Sequence, residues 1–137
     1  MLGLRTVIYP VDDLKAATAW YIEAFGDTPY YETEQYVGFD IHGYELGLMP
    51  ASDDLQPSLG GSETLWGVED IQASFKRLID LGATSLVEPW NTGEDIWVAS
   101  LADPFGNRLG LVYNPYFRGE QVPSLHEIED KGTLEGE

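Results

Sequence analysis

The chain has 137 residues, 43% of them hydrophobic and 12% aromatic, enough apolar material for one packed domain or two small repeated halves. Twenty-four acidic residues against seven basic ones give a formal charge of −17. A polyanion such as nucleic acid, or an anionic membrane surface, would be repelled, while a neutral or cationic small partner is allowed.

Leu4 to Tyr9 is rich in Val, Ile and Tyr and is predicted as a strand ending at Pro10. Asp12 or Asp13 then caps a helix running to Phe25, with Gly26 as its stop. Leu14, Ala17, Tyr21, Ala24 and Phe25 recur at helical spacing as its apolar stripe. Three strands are predicted at about Thr28–Glu32, Tyr36–Asp40 and Tyr44–Met49, the last two joined by a tight turn at His42-Gly43. Ala51 to Gly61 is rich in Ser, Asp, Gly and Pro and is predicted as a linker.

The order then repeats. Glu63–Val68 is predicted as a strand, and Asp70 caps a helix through Leu81 that stops at Gly82. Strands follow at about Ser85–Glu88, Ile96–Ala102 and Arg108–Tyr113, with Pro89–Asp95 as a polar loop carrying Trp90. An offset of 57 places Val11, Asp13 and Leu14 on Val68, Asp70 and Ile71. An offset of 63 places Asp40 to Gly43 on Asp103 to Gly106, and GYELGL on GNRLGL. The architecture expected is α+β, a tandem βαβββ repeat with modules at about 4–50 and 62–113. Residues 114–137 form an acidic C-terminal tail, with a short helical turn expected near Leu125–Ile128. The chain has no apolar run long enough to span a bilayer, and no apolar stretch follows a basic head at its start. A cytoplasmic protein is expected.

Three motifs carry a family likeness: VDDL (Val11–Leu14) leading to WYIEAFG (Trp20–Gly26), VEDIQASFKRLIDLGA (Val68–Ala83), and the hairpin ADPFGNRLGL (Ala102–Leu111). Together they resemble the vicinal oxygen chelate superfamily of glyoxalases, bleomycin-resistance proteins and extradiol dioxygenases, over about Leu4–Tyr113. The resemblance implies one domain over 1–113, a half-open barrel cup with the helices outside, and a homodimer. It does not name a reaction.

Enzymes of that superfamily hold a divalent metal in the cup, and the resemblance carries the ligand positions onto Thr6, Gly47, Glu63 and Gly110. Two glycines offer no side-chain donor, and threonine is a weak ligand. The chain has no cysteine, and its two histidines, His42 and His126, fall in a turn and in the tail. No metal and no cofactor are therefore expected. The glycines instead leave room for an organic ligand or for an aromatic ring. The hairpins are expected to set Tyr36 opposite Gly47 and Ala99 opposite Gly110, with Trp97 on the face of Ala99 and Val112. The candidate ligand-binding residues are Thr6, Ile8, Tyr36, Gly47, Glu63, Leu65, Trp90, Trp97, Arg108 and Gly110.

Each has a plainer reading beside the functional one. Glu63 is either a solvated carboxylate at a strand end, a salt-bridge partner of Arg108, or a cup carboxylate able to act as a base, which makes it the one weak catalytic candidate. Glu45 shares the strand face of Gly47 and is a second carboxylate of interest. Trp90 and Trp97 are either packing residues or rings that stack on a ligand. Asp12, Asp13 and Asp70 are explained by helix capping. The function expected is metal-independent binding of a small aromatic or cationic molecule. The alternative is a lyase, isomerase or dioxygenase acting on a carbonyl or diol substrate.

Overall fold

In the computed structural model, which describes residues 1–117, the local signals for helix ends act where expected. Asp13 Oδ1 accepts from the Ala16 amide at 3.1 Å and caps α1 (Leu14–Phe25), and Gly26 closes it in the left-handed conformation at φ 77°. Asp70 Oδ1 accepts from the Ala73 amide at 3.1 Å and caps α2 (Ile71–Asp80). The helical-turn expectation at Leu125–Ile128, and His126, lie outside the described residues. Neither helix is long and apolar enough to cross a membrane.

Among the described residues the chain divides into two compact units. One contains Met1–Tyr9 and Asp13–Pro50, and the other contains Pro10–Asp12 and Ala51–Phe117. The strands form two separate four-stranded sheets, neither closed into a barrel.

In the first sheet β1 (Thr6–Val11), β2 (Tyr31–Glu32), β3 (Val37–Ile41) and β4 (Tyr44–Pro50) are ordered β1-β4-β3-β2. β1 continues past Tyr9 through Pro10, contrary to the expected stop. It is an edge strand, where a residue without an amide proton is tolerated. One face of the sheet carries the fully buried Phe39, Leu46 and Leu48, and Tyr21 of α1 is buried with them. Tyr21 stacks obliquely against Tyr9, ring centroids 5.8 Å apart. His42 (φ 52°) and Gly43 (φ 90°) form a two-residue turn with both residues left-handed, the hairpin geometry that matches strand twist.

In the second unit β5 (Leu65–Gly67), β6 (Thr84–Gly93), β7 (Ile96–Ala102) and β8 (Arg108–Tyr113) are ordered β5-β8-β7-β6. β5 is parallel to β8, and the other pairs are antiparallel. Ala99, Leu101, Leu109 and Leu111 make one buried row, which Ile71 and Leu78 of α2 cover. β5 is shorter than predicted, so Glu63 lies just before it. β6 is longer and absorbs most of the expected polar loop. Its register shifts between Val87 and Trp90, which accommodates Pro89 at an edge strand, and it turns into β7 through Glu94 (φ 54°) and Asp95 (φ 66°). Trp90 is thus a strand residue paired with Val98.

The segment predicted as a linker is held by hydrogen bonds. The Arg108 amide donates to the Ser58 carbonyl at 3.0 Å, and Asn107 Oδ1 accepts from the Ser58 amide at 3.3 Å.

Candidate functional site

Strand alternation gives each sheet a second face, away from its helix. In the first unit this face is carved out by glycine. Gly38 and Gly47 are directly opposed across β3 and β4. A side chain on Gly47 would collide with the Tyr36 hydroxyl and come within 2.8 Å of Ile8 Cδ1. One on Gly38 would come within 2.6 Å of Glu45 Oε2. The two glycines therefore form a bed on which the Tyr36 phenol and the Glu45 carboxylate lie.

That carboxylate is held by three hydroxyl donors. Thr6 Oγ1 donates to Oε1 at 2.9 Å, and Tyr30 and Tyr36 hydroxyls donate to Oε2 at 2.8 and 2.9 Å. The Tyr30 hydroxyl is pushed up to about 12, chiefly by its hydrogen bond to Glu45. Burial first, and then the same carboxylate, push the Tyr36 hydroxyl up as well. Both phenols therefore remain neutral donors at any physiological pH. Thr6, Ile8, Tyr36 and Gly47 are brought together as expected, although the register pairs Gly47 with Gly38 rather than Tyr36. The turn uses only His42 and Gly43, so Tyr36 lies two residues along the same face. Tyr30 could not be foreseen, because it precedes β2 and reaches over from outside the alternation. The group borders a hollow of about 280 Å³ lined by Arg5, Thr6, Tyr30, Asp40, Gly43, Tyr44 and Glu45.

The second unit has a corresponding face with different chemistry. Leu65 opposes Gly110, and a side chain on Gly110 would come within 2.6 Å of both Leu65 Cδ2 and the Thr64 carbonyl. Glu63 Oε2 accepts from Arg108 Nε at 3.0 Å and from the Ser100 hydroxyl. Ser100, opposite Gly110, is a site neighbour that sequence reasoning missed, since Ala99 was expected there. The reason is the length of the turn. Ala102 pairs with Arg108, leaving five residues, Asp103 to Asn107, in the connection. Asp103 Oδ1 organises that turn by accepting from the Phe105 and Asn107 amides at 2.9 and 2.8 Å.

The same register corrects Trp97. It pairs with Tyr113 and shares the face of Ala99 and Leu101, the buried row, rather than the face of Gly110 and Val112. Its indole Nε1 donates to Asp95 at 3.0 Å. Trp90, opposite Val98, does stand on the Gly110 face and is half exposed. Glu63, Leu65, Trp90, Arg108 and Gly110 therefore share one face, and Trp97 does not.

Hydrogen bonding from Ser100, against an opposing effect of burial, and then the Arg108 guanidinium hold the Glu63 carboxyl below the usual carboxylate range. The ionised form is favoured in the folded state. Its stabilisation is therefore complete above the ordinary Glu value of about 4.3 and is lost as pH falls through the lower folded value. Because the pair is partly exposed, Glu63→Gln should cost about 1 kcal/mol or less at pH 7. Urea unfolding of the two proteins at several pH values checks this: their stabilities should converge as pH falls below about 4.

The metal positions implied by the resemblance do not fit a metal. Of Thr6, Gly47, Glu63 and Gly110 only Glu63 is a strong donor, and a guanidinium already lies 3.0 Å from it. The Tyr36 hydroxyl and the Leu65 side chain fill the spaces into which ligands at 47 and 110 would project. Among the described residues no three His, Cys, Asp or Glu side chains are grouped to hold a metal ion.

Comparison with known proteins places this geometry. The chain matches no curated protein sequence significantly. Solved structures of like fold are numerous. A glyoxalase-related enzyme from Fulvimarina pelagi is 17% identical, with a TM-score of 0.75 over 90% of this chain and 96% of its own. A glyoxalase/bleomycin resistance protein/dioxygenase superfamily member from Sphaerobacter thermophilus is 19% identical, with a TM-score of 0.69 over 83% and 98%. Lactoylglutathione lyase from Agrobacterium tumefaciens is 17% identical, with a TM-score of 0.66 over 83% and 95%. At these identities the likeness is one of fold. The family model for the Glyoxalase/Bleomycin resistance protein/Dioxygenase superfamily matches residues 3–111, nearly all of the repeat, and the chain belongs to that superfamily.

Proposed function

We propose that the protein binds a small organic molecule without a metal, and that the ligand carries a positive group beside a planar or apolar part. One observation carries this reading: the Glu45 carboxylate, held by three neutral hydroxyls, borders a hollow that Tyr30 and Tyr44 line together with Asp40 and Arg5. Neutral donors fix the position of a charge without cancelling it. Aromatic rings beside it favour a cation or a flat hydrophobic group. The chain's charge of −17 adds a long-range attraction for cations. An enzyme of the lyase, isomerase or dioxygenase kind would rest on Glu63 as a base. Ser100 and Arg108 weaken it in that role, so binding is the preferred reading.

Proflavine, a planar monocation, tests the reading by fluorescence titration at 0.15 M salt, where the Debye length is about 8 Å and diffuse attraction is screened. Saturable binding is expected, weakened at least tenfold by Glu45→Gln, with no binding of the anionic dye anilinonaphthalene sulfonate. Equal affinity of the variant, or no saturable binding of proflavine, would overturn it.

A further inference from the structure

The Glu45 carboxylate offers its charge to the hollow more freely than its acceptor positions. A carboxylate has about four lone-pair sites. The Tyr30 and Tyr36 hydroxyls take two on Oε2, and the Thr6 hydroxyl takes one on Oε1. Oε2 also lies directly over Gly38, where an added Cβ would come within 2.6 Å of it, so it is closed to a further donor from that side. One acceptor position, on Oε1, is left. The charge itself is not cancelled. Among the described residues no ion pair joins Glu45 to Arg5, whose guanidinium donates through Nη1 to the carbonyls of Leu2 and Leu4.

The rings that reach this carboxylate are braced. Tyr31 packs against both of them, its ring centroid 6.4 Å from that of Tyr30 and 6.2 Å from that of Tyr36. Tyr30 lines the hollow and is 52% exposed, so its ring surface is available there. At about 280 Å³ the hollow lies just below the range of about 300–1,000 Å³ typical of drug-sized ligands, which suits a compact head group. The two kinds of organic ammonium make different demands on such a place. A primary ammonium carries three N–H donors and loses hydrogen bonds to water unless acceptors replace them. A quaternary ammonium has no N–H to satisfy and is attracted by charge and by ring surface alone.

We propose that this hollow selects a fully alkylated ammonium, such as a trimethylammonium head group, over a primary ammonium. The hydroxyls of Thr6, Tyr30 and Tyr36 set that preference by occupying the acceptor positions that a primary ammonium would need. The proposal rests on the binding reading above and narrows it: the positive group of the ligand bears no N–H.

Benzyltrimethylammonium and benzylamine, both cationic near neutral pH, share a ring and differ only in methylation. Each is titrated into the full chain by calorimetry at 0.15 M salt, where diffuse attraction is screened. Benzyltrimethylammonium should bind at least fivefold more tightly than benzylamine, and Glu45→Gln should weaken it at least tenfold. Added methyl groups alone also favour the quaternary compound, so the deciding variant is Tyr30→Phe. It keeps the ring and frees one acceptor position on Oε2, and the ratio of the two affinities should narrow at least threefold. A preference that came from apolar surface would leave that ratio unmoved. Equal affinity of the two compounds, no binding of benzyltrimethylammonium, its insensitivity to Glu45→Gln, or an unmoved ratio in Tyr30→Phe would overturn the proposal. If proflavine binds through Glu45 while any of these results holds, the alkylated-ammonium assignment fails and the broader reading stands. If none of the three cations binds, both fail.

Discussion

Gly110→Ala should destabilise the protein by about 3 kcal/mol, at the upper end of the usual cost of overpacking. The added methyl would lie within 2.6 Å of the Thr64 carbonyl and within 2.6 Å of Leu65 Cδ2. Leu65 can change rotamer, but the carbonyl cannot withdraw. It accepts the Gly110 amide at 3.0 Å, in the first contact of the parallel β5–β8 pairing. Relief therefore requires β5 to separate from β8, which would also disturb Glu63 just upstream. Gly47→Ala is the control. The groups its methyl meets, the Tyr36 hydroxyl and Ile8 Cδ1, are ends of side chains that can swing aside, and a cost of about 1 kcal/mol is expected. Urea unfolding followed by circular dichroism measures both. Equal losses, or a neutral Gly110→Ala, would show that the β5 backbone yields where the geometry says it is held.

Glu45→Gln should have its largest effect on the ionisation of two tyrosines. The amide has one carbonyl oxygen in place of two carboxylate oxygens, so it cannot accept all three hydroxyls, and it carries no negative charge to oppose phenolate formation. Tyr30 should fall from about 12 towards its ordinary value near 10. Tyr36 should fall less, since burial is the first cause of its elevation and survives the substitution. Ultraviolet titration of phenolate absorbance reads this directly: part of the signal that appears only above pH 11 should move to near pH 10. Stability follows with a defined sign. A phenol whose folded value is raised contributes stabilisation that is complete below the unfolded value of about 10 and is lost as pH rises through the folded value. The wild-type protein should thus lose stability steeply between about pH 10 and 12, and the variant should lose less over that window. An unchanged phenolate titration would mean that Glu45 does not accept from Tyr30 in solution.

Part of the candidate site was legible before the fold was known. The positions of Thr6, Ile8 and Gly47 follow from β1 and β4, whose alternation is plain in TVIYPV and YELGLMP. Leu65, Arg108 and Gly110 follow from the second half by the same alternation and the offset. Glu63 falls on their face from just before β5. The partners of the two carboxylates were less legible. Tyr30 lies before its strand, so periodicity assigns it no face. Ser100 was displaced by one position, because the second turn takes five residues where the first takes two.

Sequence by itself determined what depends on neighbours along the chain. The two helices follow from Asp13 with Gly26 and from Asp70, because a cap is a bond between residues three apart. The βαβββ repeat follows from the order of such signals, and the superfamily from the residues at its turns. Tertiary structure alone decided what depends on register. A strand has a side-chain period of two, so one extra residue in the Asp103–Asn107 turn sends Trp97 to the buried row and Ser100 to Glu63. A bulge at Pro89 carried Trp90 out of a supposed loop and onto a strand face. Charge placement obeyed the same rule. Which hydroxyls meet Glu45, and which cation meets Glu63, is settled by strands that lie far apart in the chain and adjacent in the sheet.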